Sequence, residues 1–386
     1  MEKKGRLYRI GITGSYGGLN LGDEAILHSI VAQLRASINA KITVFSRNEE
    51  DTKKRHKVDR VIPVRSITRD EVIPEIKDLD LLIFGGGGIL FDSDVKIFLR
   101  EVQIAHELGV PVMTYAISVG PLIDPVNQEL VRQALNDVAI ITVRDRKACQ
   151  LLEEIGVRKE TIVTADPAFL LKAEPFPKDA LKSEGLDGPE PLVGMSVREP
   201  GGAAPDLQVE KYHGLLANVA DYVVERFGAR VVFVPMERGQ LDMQHSHAVV
   251  AKMMRPQSAV VLKGDYSPGQ LVSLIKNFKF ALGMRLHFLI FAIKSGVPFV
   301  ALPYSSKVHG LLEHMKIEMP PIQLVNEGRL IAYLDRLWDN QRDIKAVMKQ
   351  VLPELQALAG KTHQIALTLL EENAKKREAL PAAVSA

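Results

Sequence analysis

The sequence predicts an α/β protein made of two doubly wound, Rossmann-like domains. Apolar runs of strand length alternate with helical periods along most of its 386 residues. Runs such as LLIF at 81–84 are apolar at every position, which is typical of parallel strands covered on both faces. The alternation stops in a stretch rich in proline, glycine and charge at 172–191 and then restarts. That interruption predicts a boundary between two domains.

The linear pattern predicts four segments. We expect an N-terminal Rossmann-like domain over 1–175, a linker over 176–190, a C-terminal Rossmann-like domain over 191–350 and a helical tail over 351–386. Repeated strand–helix units form parallel sheets, and such sheets bind ligands at the carboxyl ends of their strands. The sequence therefore predicts two domains facing each other across a cleft.

Composition excludes several classes of protein. The formal net charge of +2 lacks the basic excess of a nucleic-acid-binding protein. The single cysteine, Cys149, excludes an intramolecular disulfide and argues against a thiolate metal site. We find no signal-peptide apolar region and no run of about 18 apolar residues that would span a membrane. We expect a soluble, cytoplasmic protein.

A glycine-rich turn near the N-terminus connects the first strand to the first helix in GITGSYGGLNLGDEAIL, 11–27. Asp23 and Glu24 lie where that helix begins, which makes the turn a poor site for a phosphate, and the spacing does not fit the GxGxxG dinucleotide motif. Two interpretations stay open. The segment is either a tight turn before a well-capped helix, or a loop whose Asn20 and Asp23 bind the hydroxyls of an acceptor.

A second glycine run, GGGGILFD at 85–92, directly follows an apolar strand. Four successive glycines permit either a close approach of helix and strand or the approach of a bound substrate. On the second interpretation Gly87, Gly88 and Asp92 contact the acceptor. With the polar strand end YAISVGPL at 115–122, these loops predict a binding surface for a hydroxyl-rich ligand in the N-terminal domain.

Positive charges follow several strands of the C-terminal domain. Arg198 and Arg285 each end an apolar strand, His287 lies at the start of the next helix, and Tyr304 and Lys307 follow a third strand. Guanidinium groups near a helix N-terminus are suited to bind phosphate or carboxylate. His287 is placed to transfer a proton near neutral pH. The alternative is structural: an interdomain salt bridge for Arg285, a satisfied histidine, and surface roles for Arg198 and Lys307.

The other polar motifs predict less. His245 and His247 have the spacing of metal ligands, but no third ligand accompanies them and a solvated helix start is the simpler interpretation. There is no nucleophile elbow, P-loop or zinc motif in the sequence. We expect neither a metal nor a cofactor.

Several motifs together resemble the polysaccharide pyruvyl transferase family, in particular its cell-wall-polymer branch. The similarity extends over about 10–324. The segments that carry it are GSYGGLNLGDEAIL, GGGGILFD, ADPAFLL and GMRLHFLIFAIKSGVPFVALPY, followed by Lys307. The resemblance implies a glycosyltransferase-B-like architecture. It also implies an enzyme that transfers the pyruvyl group of phosphoenolpyruvate to a sugar as a cyclic ketal, with release of phosphate.

The resemblance also implies roles for individual residues. The R-x-H pattern of the family falls on Arg285 and His287, and Arg198 matches its other anion-binding arginine. Tyr304 and Lys307 match a Y-x-x-K element. His287 would then be the general acid or a phosphate ligand, and the cations would hold phosphoenolpyruvate in the C-terminal domain. The acidic N-terminal loop would face the acceptor.

Other interpretations remain. VPMERGQLD at 234–242 is similar to a further family element, with Glu237 and Asp242 as minor candidates. A glycosyltransferase using a nucleotide sugar and a non-catalytic polysaccharide-binding protein are the alternatives, and an NAD oxidoreductase ranks last. The acceptor is a glycan of a cell-surface or secreted polysaccharide, either free or lipid-linked. A lipid-linked acceptor would bring the enzyme to the inner membrane face as a peripheral protein. The sequence leaves the sugar, the hydroxyl pair and the oligomeric state open.

Overall fold

The computed structural model describes residues 5–199, 208–239, 241–302, 306–317 and 324–379. The chain divides into two compact units. Unit 1 consists of Met1–Gly18, Ile26–Leu170 and Leu355–Ala386, and unit 2 consists of Leu19–Ala25 and Leu171–Glu354. Both units are therefore discontinuous in sequence. The change of unit near 170 lies close to the interruption in the sequence pattern, whereas the separate place of Leu19–Ala25 has no counterpart in that pattern.

Unit 1 contains two parallel sheets. The first has five strands in the order β3-β2-β1-β4-β6, and the second has four in the order β5-β7-β8-β9. The first sheet is formed by β1 Tyr8–Thr13, β2 Ala40–Ser46, β3 Arg60–Pro63, β4 Leu81–Phe84 and β6 Val112–Thr114. The second is formed by β5 Gly87–Leu90, β7 Ile117–Val119, β8 Ile141–Val143 and β9 Thr161–Val163.

The helices of unit 1 alternate with these strands. They are α1 Leu21–Ser37, whose first residues belong to unit 2, α2 Glu49–Arg55, α3 Arg69–Lys77, α4 Val95–Glu107, α5 Pro125–Asn136 and α6 Arg146–Glu154. Local signals explain where several of them begin. Thr68 and Glu71 form a capping box at α3, and the Asp124 side chain caps α5, which has a proline at its start. One buried apolar cluster, with Phe45, Phe84 and Phe98 among its members, packs the unit.

The glycine run connects the two sheets of unit 1. The prediction of one loop over 85–92 is wrong, because Gly87–Leu90 forms β5. Gly85 and Gly86 have positive φ angles of 100° and 86°. A Cβ atom on Gly85 would lie 2.3 Å from Ile117 Cγ2, so this crossing requires glycine for close packing.

Unit 2 contains one parallel five-stranded sheet, in the order β12-β11-β10-β13-β14. Its strands are β10 Leu192–Ser196, β11 Arg230–Phe233, β12 Ala259–Val261, β13 Phe278–Gly283 and β14 Phe299–Ala301. Its helices are α7 Ala180–Ser183, α8 Val209–Phe227, α9 Leu241–Val250, α10 Pro268–Ile275, α11 Leu286–Lys294, α12 Ser306–His314 and α13 Glu327–Asp339, and α14 Gln341–Ala379 continues from unit 2 into unit 1. The prediction of an α/β fold with parallel, helix-covered sheets is confirmed.

The core of unit 2 holds the only tryptophan of the sequence. Trp338 on α13 stacks on Phe227 with ring centroids 4.1 Å apart. It meets Phe280 of β13 edge-on at 5.7 Å. Such aromatic contacts add to the apolar burial that fastens α13 to the sheet. Trp338 is therefore a natural probe for the folding of unit 2.

Candidate functional site

The central strands of unit 2 bring two arginines to one edge of the sheet. β10 and β13 pair in parallel, with Ser196 beside Gly283 at their carboxyl ends. Arg198 and Arg285 each follow two residues later. The two strand ends stay joined beyond the ladder, because the Met284 amide donates to the Ser196 carbonyl at 3.0 Å. The carboxyl edge of a parallel sheet is the usual ligand-binding edge.

A buried carboxylate holds Arg285. Asp242, on α9, is 0% exposed. Its carboxylate accepts two hydrogen bonds from the guanidinium: one from Nε at 2.9 Å and one from a terminal nitrogen. The same carboxylate accepts from the backbone amides of Met236 and Glu237 at 3.1 and 3.0 Å. This bidentate pairing fixes the plane of the Arg285 guanidinium at the start of α11.

His287 lies in the first turn of α11, half-buried, with its ring against Gly22. A Cβ atom on Gly22 would lie 1.9 Å from His287 Nδ1 and 2.4 Å from Cγ. Real Cβ contacts are never this short, so only glycine permits the observed position of the imidazole. The first glycine-rich segment therefore shapes the surroundings of His287.

Backbone hydrogen bonds explain why Leu19–Ala25 belongs to unit 2. The Leu21 amide donates to the Met236 carbonyl at 2.8 Å, and the Arg238 amide donates to the Leu19 carbonyl at 3.0 Å. Asn20 and Glu237 form an isolated antiparallel bridge. The sequence analysis expected Asn20 and Asp23 in the N-terminal domain, whereas the structure groups them with the arginines. The Asn20 side-chain oxygen accepts from the Gly22 amide at 3.0 Å and so supports this turn.

The predicted acceptor residues of unit 1 have structural contacts. Gly87 is buried within β5, whereas Gly88 is half-buried. The Asp92 carboxylate accepts from the amides of Ile123 at 2.7 Å and Asp124 at 3.2 Å. These backbone bonds, with the one to Ile123 the strongest cause, lower the pKa of Asp92. Asp92 therefore stays ionised and anchors the turn before α5.

Two predicted anion-binding groups cannot be placed. Tyr304 lies outside the described residues. Lys307 is in the first turn of α12, but its side chain also lies outside what the structure describes. Their roles remain predictions from the sequence. Within the described residues, no group of three or more histidine, cysteine, aspartate or glutamate side chains could hold a metal ion.

Asp242 is the contribution that sequence reasoning underestimated. Its position in VPMERGQLD offered a signal, since an acid follows a strand and opens a helix. Tyr212 was not considered; its hydroxyl donates to the sulfur of Met284, directly before Arg285. Burial raises the pKa of Tyr212, so its hydroxyl stays protonated. Both residues support the chain on which Arg285 and His287 lie.

A cavity of about 120 Å³ opens beside this site, between the ends of β11 and β12. Tyr266, Leu262 and Val234 contribute to its walls, and Leu21 closes one side. The Tyr266 hydroxyl donates to Glu184 at 2.7 Å, so that residue is held in place. Mostly apolar walls with an aromatic ring can accommodate a small group of a ligand.

Comparison with known proteins decides the family. A family model for polysaccharide pyruvyl transferase matches residues 20–306, more than half of the chain. The chain belongs to the polysaccharide pyruvyl transferase family. The resemblance found in the sequence is thereby confirmed. The amylovoran biosynthesis protein AmsJ of Erwinia amylovora is 21% identical over 300 residues, which cover 74% of this chain and 72% of that protein.

Solved structures confirm the glycosyltransferase-B type of fold for this pyruvyl transferase family member. MnaA of S. aureus, solved with UDP, has a TM-score of 0.66 at 12% identity and covers 93% of this chain and 95% of its own. UDP-GlcNAc 2-epimerase from Neisseria meningitidis, bound to UDP-GlcNAc, has a TM-score of 0.63 at 12% identity, with 95% and 100% covered. At such low identity these likenesses show the fold alone. None of the described helices is long and apolar enough to cross a membrane.

Proposed function

We propose that the chain transfers the pyruvyl group of phosphoenolpyruvate to two hydroxyls of a sugar, forming a cyclic ketal and releasing phosphate. The family supports pyruvyl transfer in polysaccharide biosynthesis. The observation that carries the finer proposal is the bidentate pairing of Arg285 with buried Asp242, directly before His287. An arginine fixed in this way is pre-organised for an anion, and the adjacent imidazole is a proton donor at neutral pH.

The chemistry needs an acid and several cations. His287 protonates C3 of the enol, and the positive charge that develops at C2 is captured by a sugar hydroxyl. Phosphate leaves from C2, and a second hydroxyl replaces it and closes the ring. Two hydroxyl protons are released; one replaces the proton given to C3 and the other leaves on the phosphate. No electron is transferred, so this sequence requires no oxidant or reductant.

Arg198 and Arg285 hold the carboxylate and phosphate of phosphoenolpyruvate at the carboxyl ends of β10 and β13. Asp242 removes part of the positive charge of Arg285, so Arg198 and the predicted Lys307 supply most of the attraction for the dianionic phosphate. Guanidinium groups also stabilise the charge that grows on the leaving phosphate. Tyr304 is placed in the same anion site on the family pattern alone.

Asn20 and Asp23 remain our candidates for contacts with the sugar acceptor. Their segment contacts His287 through Gly22, which would bring an acceptor hydroxyl to the reacting carbon. In unit 1, Gly88 and Asp92 remain candidates for a more distant part of the glycan, while buried Gly87 shapes the strand between them.

A nucleotide-sugar transferase is the second candidate. The cavity beside Tyr266 favours it, because apolar walls and an aromatic ring suit a planar base. Its volume of about 120 Å³ is well below the several hundred that ordinary ligand sites provide, so a whole nucleotide does not fit in it. We therefore rank this function below pyruvyl transfer.

The test measures phosphate release from phosphoenolpyruvate with a panel of N-acetylhexosamine acceptors, and mass spectrometry of the product. Acceptor-dependent release, a pyruvyl mass gain and its loss in His287→Ala are expected. His314→Ala is the matched control, since His314 is an exposed-face residue of α12 near Glu354 and should leave turnover intact. If phosphoenolpyruvate does not bind while a nucleotide sugar does, the proposal is wrong and the second candidate replaces it.

A further inference from the structure

A pair of arginines in unit 1 lies at the carboxyl ends of two neighbouring strands. Arg47 directly follows β2, and Arg65 follows β3 by two residues. The strands pair in parallel up to Ser46 beside Pro63, so both arginines leave the sheet at the same edge. Both are exposed. Like charges at one sheet edge repel each other unless something negative accompanies them.

The Arg47 side chain has a fixed direction. One terminal nitrogen donates to the Ser15 hydroxyl at 2.9 Å and to the Ser15 carbonyl at 3.2 Å. The same nitrogen would lie 2.0 Å from a Cβ atom on Gly18, so the glycine makes room for the guanidinium. Neither bond to Ser15 neutralises the charge of Arg47.

Arg65 is placed over the start of α4. Its Cζ lies 5.5 Å from the ring centroid of Phe98, a buried residue in the first turn of that helix. Within the described residues the Arg65 guanidinium has no carboxylate at ion-pair distance. Partial burial, and then repulsion from Arg47, lower the pKa of Arg65 against the attraction of Glu101 and Asp94. An arginine in this state would gain from binding an anion.

The nearest acids are already occupied or few. Glu101 is 3% exposed and accepts from Arg100 Nε at 2.8 Å and from the Thr13 hydroxyl at 3.2 Å. Arg100 in turn donates to the carbonyls on either side of Arg65, at residues 64 and 67, which fixes that turn. Glu101 and Arg100 therefore neutralise each other. Asp94 alone is left to offset two guanidinium charges.

The N-terminus of α4 adds a third positive element. The helix has 13 residues, no acidic residue in its first turn, and an N-cap residue, Asp94, whose side chain makes no capping hydrogen bond. Its first backbone N–H groups therefore point towards the edge where Arg65 lies. Two guanidinium forks beside a helix N-terminus match the geometry of a phosphate better than that of any neutral group.

We propose that Arg47, Arg65 and the first turn of α4 bind a phosphate or diphosphate group of the sugar acceptor. This inference rests on the proposed function, since it assigns the acceptor an anionic end. The segment that contacts Arg47 through Gly18 reaches His287 through Gly22 four residues later. The chain thus connects the proposed phosphate site to the group that acts on the sugar. The substrate class is a phosphate-activated sugar or oligosaccharide, not a finished neutral polymer.

The test titrates the full-length protein with inorganic pyrophosphate by calorimetry, and separately with phosphoenolpyruvate. The variants are Arg65→Gln, Arg198→Gln and, as matched control, Arg158→Gln, an exposed arginine of unit 1 at the amino end of β9. Loss of one charged contact should weaken pyrophosphate binding about tenfold or more in Arg65→Gln. Arg158→Gln and Arg198→Gln should keep it, while Arg198→Gln alone should lose phosphoenolpyruvate.

A second pair of probes separates phosphate from sugar. N-acetylglucosamine 1-phosphate should bind the wild-type protein more tightly than the corresponding methyl glycoside, and Arg65→Gln should abolish that difference. Unchanged pyrophosphate binding in Arg65→Gln, or an equal loss in Arg158→Gln, would overturn the phosphate site. Failure of phosphoenolpyruvate to bind, with the Arg65 pattern intact, would instead count against the proposed function alone.

Discussion

Asp242→Asn removes one negative charge from the buried group that holds Arg285. In the native site this carboxylate accepts four hydrogen bonds, two from the guanidinium and two from backbone amides. An asparagine side chain has one acceptor oxygen and a donor group that would face other donors. Arg285 would lose its counter-ion and its fixed plane, although its own fold position at the start of α11 would persist.

The size of the effect follows from burial. Removing one partner of a buried ion pair costs about 3–5 kcal/mol, because an uncompensated charge is left behind. Arg285 keeps 14% of its side chain exposed, so water partly compensates its charge. We therefore expect about 2–4 kcal/mol for unit 2, equivalent to a fall of its thermal midpoint by about 4–12 °C. Turnover should fall at least about a hundredfold, since a mispositioned clamp affects the transition state directly.

Tryptophan fluorescence measures this change selectively, because Trp338 lies in the core of unit 2. Asp221→Asn is the matched control. Asp221 is 7% exposed and accepts from the amides of Met254 at 2.7 Å and Arg255 at 3.0 Å, away from the site. It should destabilise the same unit but leave turnover unchanged at temperatures where the unit is folded. If the two variants lost activity equally, or if Asp242→Asn kept full turnover, the positioning role of Asp242 would be refuted.

Three further changes test other features. Gly22→Ala should reduce turnover at least about tenfold by displacing the His287 ring, whereas Gly214→Ala, whose added Cβ meets nothing within 4 Å, should leave it intact; equal rates would contradict the packing argument. Gly86→Ala, at a φ of 86°, should destabilise unit 1 by at least about 2 kcal/mol in circular dichroism, with unit 2 fluorescence unaffected. Burial, then the nearby His245, lower the pKa of His213, so the native protein keeps this ring neutral while the unfolded chain takes up a proton. The stability it provides is complete above about pH 6.5 and is lost as the pH falls below that value, so His213→Gln should flatten the acid limb of urea midpoints between about pH 7.5 and 5.5.

The sequence predicts the fold well because its signals are local. Fully apolar runs identify β4 and β13, and the arginines that end strands can be seen from composition alone. Parallel pairing then places Arg198 and Arg285 at one sheet edge without further information. The family motifs add the expectation that His287 belongs with them.

What the sequence does not show depends on contacts between distant residues. The ladder that joins Leu19–Ala25 to Met236 and Arg238 links positions more than two hundred residues apart, and no periodicity records it. For the same reason the pairing of Asp242 with Arg285 could only be suspected. The glycine run was assigned to a loop because glycine is rare in strands, yet β5 contains two of them where neighbouring side chains leave no space.

The interleaved division of the chain has a consequence during its synthesis. Unit 1 includes the last helical residues, from Leu355 onward, so its early segments wait on the ribosome for a partner that is made last. Unit 2 likewise recruits seven residues from near the N-terminus, Leu19–Ala25. A fragment beginning at Leu171 would carry both arginines and His287 yet lack the peptide that packs against the imidazole. Cutting this protein into separately expressed halves should therefore yield two incomplete pieces, and activity should return only when the missing peptide is supplied in trans.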